Sequence, residues 1–172
     1  MERSEALQMP MQWSDQFLLG FPAMDATHAE FVACVAALQT AEDAQLVGCL
    51  EAFAAHAVAH FAQEEGWMQT TAFPAAQCHT DEHAAVLASV REVQALLVDA
   101  DNGPGRFRIV RDLTAELVRW FPGHADYLDA ALSHWMSKRA HGGAPVVLRR
   151  GVAHTTEPGP SPMTHHTESA IR

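Results

Sequence analysis

Apolar residues recur at helical spacing in four stretches of the chain, and no stretch alternates in the manner of a half-buried strand. The first stretch places His28, Phe31, Val32, Val35 and Leu38 on one face, with Asp25 one turn ahead as the expected N-cap. The second carries Leu46, Leu50, Phe53, Ala57, His60, Phe61, Glu64, Trp67 and Met68. The third carries His83, Val86, Leu87, Val90 and Leu97, behind the breaker Phe73-Pro74. The fourth carries Ile109, Leu113, Leu117, Trp120, His124, Leu128, Leu132 and Trp135, behind the turn Asn102-Gly103-Pro104-Gly105. Helices of roughly 16–28 residues with short connections make antiparallel neighbours. The expected fold is therefore all-α, an antiparallel up-down-up-down four-helix bundle.

Composition divides the chain further. Residues 1–139 read as the bundle, with an N-terminal arm over about 1–22, and residues 140–172 read as a Gly/Pro/Ser/Thr-rich tail that is disordered or loosely docked. Val146, Val147 and Leu148 are the segment of that tail able to dock. The formal charge of -10 argues against nucleic acid and against an anionic membrane surface as partners. No apolar run approaches the length of a membrane span, and the first residues lack the apolar core of a signal peptide. Cys34, Cys49 and Cys78 form no CxxC pair, which suits a reducing compartment. A cytoplasmic location is the expectation, and a protein partner acting through the tail stays open.

The apolar stripes also carry groups that are costly to bury alone. His28 lies on the first stripe. His60 and Glu64 on the second, and His79 and His83 on the third, are spaced i, i+4 and so share a face. His124 and Asp129 lie on the fourth. Five imidazoles converging on one interior repel or stay unsatisfied unless a cation joins them. A single zinc needs only four donors, and calcium or magnesium favours oxygen. Imidazole with carboxylate suits iron, manganese or zinc, and seven donors are enough for two ions. No Glu in the chain has a His three residues later, which weighs against the carboxylate-rich di-iron oxygenases.

Trp13 with Gly20, MDATH (24–28), HFAQEEGWM (60–68), Phe73-Pro74 followed by HTDEH (79–83), and WFPGHADYLD (120–129) together resemble the hemerythrins, specifically the single-domain bacterial ones, over roughly residues 10–138. The resemblance implies two non-haem iron ions, one held by His79, His83 and His124 and the other by His28 and His60. It implies that Glu64, Asp129 and an oxo or hydroxo group bridge the pair, and that O2 is the ligand, bound reversibly at an open position. Oxygen storage, delivery or sensing without catalysis is the implied function. Alternatives on the same site are a di-iron peroxidase or nitric-oxide-handling enzyme, or an iron-handling or sensory module.

Several residues depart from this pattern or flank it. His56 stands where the family often has Tyr, and Ala125 where it usually has Ile. Glu65 is expected to face solvent, Cys78 to be a small packing residue, and His134 to be exposed. His141, His154, His165 and His166 fall in the tail. His124 and Asp129 are five residues apart, about 140° round a straight α-helix, and Pro122-Gly123 precedes them. A bend or a π-turn is expected between residues 118 and 129.

Overall fold

The computed structural model describes residues 9–99 and 105–140. The tail, with its histidines and Val146-Val147-Leu148, and residues 102–104 of the fourth turn lie outside the described residues. Helix α1 spans Pro22–Thr40, α2 Asp43–Thr71, α3 Ala76–Asp99 and α4 Arg108–His124. A π-turn over Ala125–Asp129 joins α4 to α5, Ala130–Ala140, as one continuous fourth rod. Each rod packs on the next, and the fourth closes onto the first, giving the expected four-helix bundle. Among the described residues no helix is long and apolar enough to cross a membrane.

Local sequence explains where the helices begin and end. Pro22 opens α1 at a position where its missing N–H costs nothing. That start lies one turn before the expected one, so Asp25 is not the N-cap. Its carboxylate instead accepts hydrogen bonds from the backbone N–H groups of Leu19 (2.8 Å) and Gly20 (3.1 Å), fixing the turn that leads into α1. Gly20 has φ +80°, a conformation only glycine adopts freely. Glu42 and Gln45 form a reciprocal capping box at the start of α2. Helix α2 ends where Ala72 turns left-handed and the N–H of Phe73 bonds back to the Met68 carbonyl (2.9 Å). Pro74 then prevents the helix from resuming.

The buried residues form two apolar clusters of unequal size. The larger contains Phe31, Phe53, Phe61, Val86, Leu117, Phe121 and Ala125. The smaller contains Met24, Met68, Phe73 and Leu132. Along every rod at least one candidate donor sits between the two. His28 lies between Met24 and Phe31, Glu64 between Phe61 and Met68, the α3 histidines between Phe73 and Val86, and Asp129 between Ala125 and Leu132. The polar cluster is thus closed off by apolar side chains on both sides along the bundle axis. The N-terminal arm closes the larger cluster, with Trp13 stacked on Phe17 and Phe17 tilted against Phe121.

Candidate metal centre

All seven candidate donors are buried: His28, His60, Glu64, His79, His83, His124 and Asp129. Four come from a regular helical repeat. His60 and Glu64 stack one turn apart on α2, with Nε2 to Oε1 at 2.9 Å, and His79 and His83 stack on α3 with ring centroids 4.5 Å apart. His28 reaches the same point from α1. The remaining pair needs the irregular turn. Across Ala125–Asp129 the N–H of Ala130 bonds to the Ala125 carbonyl, five residues back, and this wider turn brings Asp129 Oδ1 to 3.3 Å from His124 Nε2. The irregularity expected between residues 118 and 129 is therefore a π-turn, and it follows Pro122 rather than centring on it. Gly123 is not there for space, since a Cβ on it would meet nothing within 4 Å.

The imidazoles fall into two groups, and each carboxylate straddles both. Glu64 Oε1 lies 2.9 Å from His60 Nε2 and 3.4 Å from His28 Nε2, while its Oε2 lies 3.2 Å from His83 and 3.3 Å from His79. Asp129 Oδ2 lies 3.2 Å from His28, while its Oδ1 lies 2.9 Å from His79 and 3.3 Å from His124. One oxygen of each carboxylate thus serves His28 and its neighbours on α1 and α2. The other oxygen serves the histidines of α3 and α4. The donor atoms form two overlapping sets close enough to grip an ion each: Glu64, His79, His83, His124 and Asp129 in one, His28, His60 and Glu64 in the other.

These atoms do not satisfy one another. Both ring nitrogens of His28 and of His83, both oxygens of Asp129 and Oε2 of Glu64 are buried with no hydrogen-bond partner. His79 Nε2 and His124 Nε2 face each other at 3.2 Å. Unpartnered buried polar atoms cost about 1–3 kcal/mol each, so a cluster of them points to a missing common partner. An electron-pair acceptor answers every orphaned Nε2 and carboxylate oxygen at once, and the imidazole–carboxylate mixture fits transition ions.

Electrostatics between the two residue types is strong. Burial opposes protonation of His28 and His79, yet the Asp129 and Glu64 carboxylates outweigh it and hold both imidazoles up at about 9. In the reverse sense, burial disfavours ionised Glu64, but the imidazoles of His28, His60, His79 and His83 crowded around it hold its carboxyl well below the ordinary range. Asp129 is held low in the same way by His124, His28 and His79.

Residues around the donors refine the sequence reading. Glu65 does not simply face water. It is half-exposed, with Oε1 3.5 Å from His83 Nδ1, on the far side of that ring from the donor cluster. Its position next to Glu64 was the available signal, but the 100° step between successive helical residues pointed it outward. Phe61 stacks flat on His83 (4.0 Å, 5°), and Phe121 stands edge-on to His28. Trp120 leans on His124 with centroids 4.2 Å apart. His56 sits one turn before His60, with Nδ1 3.6 Å from Glu30 Oε2; burial and the neighbouring His60 push its pKa down. Cys78 is exposed rather than packed, because the α3 stripe that turns His79 and His83 inward turns its neighbour outward. His134 is exposed, as expected.

Comparison with known proteins agrees with this geometry. The family model described as the hemerythrin HHE cation binding domain matches residues 19–133. A bacteriohemerythrin of Ralstonia nicotianae is 41% identical over 132 residues, covering 76% of this chain and 93% of the relative. A myohemerythrin of Riftia pachyptila is 30% identical over 91 residues, covering 53% and 74% respectively. No solved structure matches the chain. By its matched sequence and its buried His/Glu/Asp cluster, the chain belongs to the hemerythrin family.

Proposed function

We propose that the protein binds O2 reversibly at a non-haem di-iron centre, as a carrier, store or sensor and not as a catalyst. In this reading His79, His83 and His124 would hold one iron and His28 and His60 the other, with Glu64, Asp129 and an oxo or hydroxo group as the bridges. The observation that carries it is the double straddle, in which each carboxylate offers one oxygen to either imidazole group. A single ion would have no use for that symmetry. The irons would supply the electrons that hold O2.

The chain's own residues provide the rest. Five neutral imidazoles donate without adding charge, so the two carboxylates offset much of the cations' charge in a low-dielectric interior. Phe31, Phe61 and Phe121 surround His28 and His60 with apolar rings, excluding the water and protons that would promote loss of the ligand in reduced form and leave the site oxidised. Glu65 Oε1 lies 3.5 Å from His83 Nδ1, placed to orient that ring from behind when Nε2 is engaged. A reducing cytoplasmic setting suits the three free cysteines. The test is the visible spectrum of the iron-loaded protein. A charge-transfer band that appears with O2 and disappears on deoxygenation, over repeated cycles, is expected. Steady O2 consumption with turnover of an organic substrate, or no O2-dependent band, overturns the reading.

Metal loading should also move protons. His28 and His79 are held up at about 9, against an ordinary 6.5, so both carry protons at neutral pH when no cation is bound. Their contribution to the stability of the metal-free protein is full below 6.5 and fades as pH rises through about 9. A cation needs their lone pairs, so loading at pH 7.5 is expected to release about two protons from these imidazoles. The release should shrink as the pH is raised through 9, measured by indicator dye or by calorimetry in buffers of different ionisation enthalpy. Loading without proton uptake or release would contradict the assignment of both rings as donors.

A further inference from the structure

A cleft of about 310 Å³ opens between α3 and α4. These two helices pack more loosely on each other than α1 does on α2 or α2 on α3. The cleft's walls are apolar, formed by Val86, Leu113, Leu117 and Trp120, and its lip carries Glu82 and Glu116. Trp120 has a second role as part of the ring cage around the donors. It lies 4.2 Å from His124 and 6.2 Å from both Phe31 and Phe61, and those two phenylalanines in turn flank His60 at 5.9 and 5.3 Å. Trp120 therefore forms a wall common to the solvent-facing cleft and to the dry interior beside the donors. Its indole N–H donates to Glu82 Oε2 across the cleft at 3.1 Å, tying the ring of α4 to α3.

The geometry points to this cleft as the route by which a small neutral diatomic reaches the donor cluster, with Trp120 as its gate and Glu82 as the latch. The inference rests on the O2-binding reading and goes beyond it by assigning the path and the residues that control it. Dissolved O2 is apolar and uncharged, so it moves readily along the apolar wall of the cleft and into the dry interior behind Trp120, which ions do not enter. The partly exposed indole is held by packing on one side and by a single hydrogen bond at the protein surface on the other. Rotation of this one side chain connects cleft and interior without moving a helix. Side-chain motion of that kind is fast compared with opening of the bundle.

A gate has a kinetic signature that a ligand-contacting residue lacks. Lowering the barrier on a path speeds entry and exit by the same factor and leaves the equilibrium unchanged. Trp120→Phe keeps an aromatic wall but removes the N–H, and Glu82→Leu removes the acceptor while leaving the wall intact. In each iron-loaded variant, stopped-flow association and dissociation rates for O2 are expected to rise together by about three- to ten-fold, the range one such hydrogen bond supports. In Glu82→Leu, which alters no residue of the ring cage, the Kd should stay within about two-fold of the parent. Ala85→Trp, which fills the mouth of the cleft, is expected to slow both rates. Unchanged rates in all three variants, or a changed Kd driven by dissociation alone, overturn the proposal. The same rates measured with nitric oxide on the reduced protein separate the two readings. If O2 does not bind reversibly but the nitric oxide rates shift together as described, the route stands and the O2 function falls. If O2 binds reversibly but neither gas responds to the variants, the function stands and the gate falls.

Discussion

Replacing Glu64 by leucine is expected to cut the iron content of the purified protein from two ions per chain to one or fewer, and to abolish the O2-dependent visible band. Glu64 is the only donor shared by both overlapping ligand sets among the described residues. Its two oxygens reach four histidines on three helices, at 2.9–3.4 Å. Removing it takes a ligand from each ion and one of the two bridges that fix their separation. Loss of an outer hydrogen-bonding partner already weakens metal binding by about 10–100-fold, so loss of a shared direct ligand should exceed about 100-fold. Leucine is close to glutamate in volume and opens no cavity, but removing one member of a buried charged cluster lowers stability, so circular dichroism checks that the bundle is folded alongside the metal count. Glu65→Leu, one residue along, is the control, with both ions kept and only a modest loss of affinity. Elemental analysis after exhaustive dialysis decides the matter. Two tightly held irons in the Glu64→Leu protein would refute the shared-carboxylate arrangement.

Stripping the metal should lower the thermal midpoint by about 20 °C. Ligand at a thousand times its Kd stabilises by about 4 kcal/mol per site, so two sites give about 8 kcal/mol. A domain of this size shifts by about 2–4 °C per kcal/mol. The physical source is the set of orphaned atoms on His28, His83, Glu64 and Asp129, which without a cation stay buried and unsatisfied between two apolar clusters. Restoring ferrous iron, or colourless zinc, should recover most of the shift in differential scanning calorimetry. A midpoint that ignores chelation would mean that the cluster satisfies itself and that the metal is peripheral. In the Glu64→Leu protein the same chelation should matter far less, because the sites it empties are already weak.

Much of this architecture was legible because two periodicities coincide in the sequence. The apolar stripe defines each helix face, and the histidines recur on that stripe at the same spacing, so helix phase alone carried His28, His60, Glu64, His79 and His83 to one interior. What helix phase does not encode was read less well. Helix α1 starts one turn earlier than its apolar stripe implies because Pro22, not Asp25, opens it, and Asp25 reaches backward to a loop instead. Glu65 was turned to solvent by the ideal 100° step, while a long flexible side chain on a rim position bends toward His83. On the fourth rod Ile109, Trp120 and Leu128 are only partly buried, whereas Val110, Phe121 and Asp129 are fully buried. The cleft beside Trp120 had no signal at all, since looseness between two helices depends on the packing of both and on neither sequence stripe alone.

The π-turn at Ala125–Asp129 explains the pattern on that last rod and has a wider consequence. Before it, burial steps through Val110, Leu113, Leu117, Phe121 and His124; continued at the same pitch, the next inward residue would be Leu128. The extra residue slips the phase by one, so Asp129 and then Leu132 and Ser133 come inward instead. The fourth rod is thus two helical registers spliced out of step, the first keyed to the larger apolar cluster and the second to the smaller. Deleting one residue within the splice would leave a more regular helix and a worse protein, because everything downstream would rotate away from the partners it was dealt.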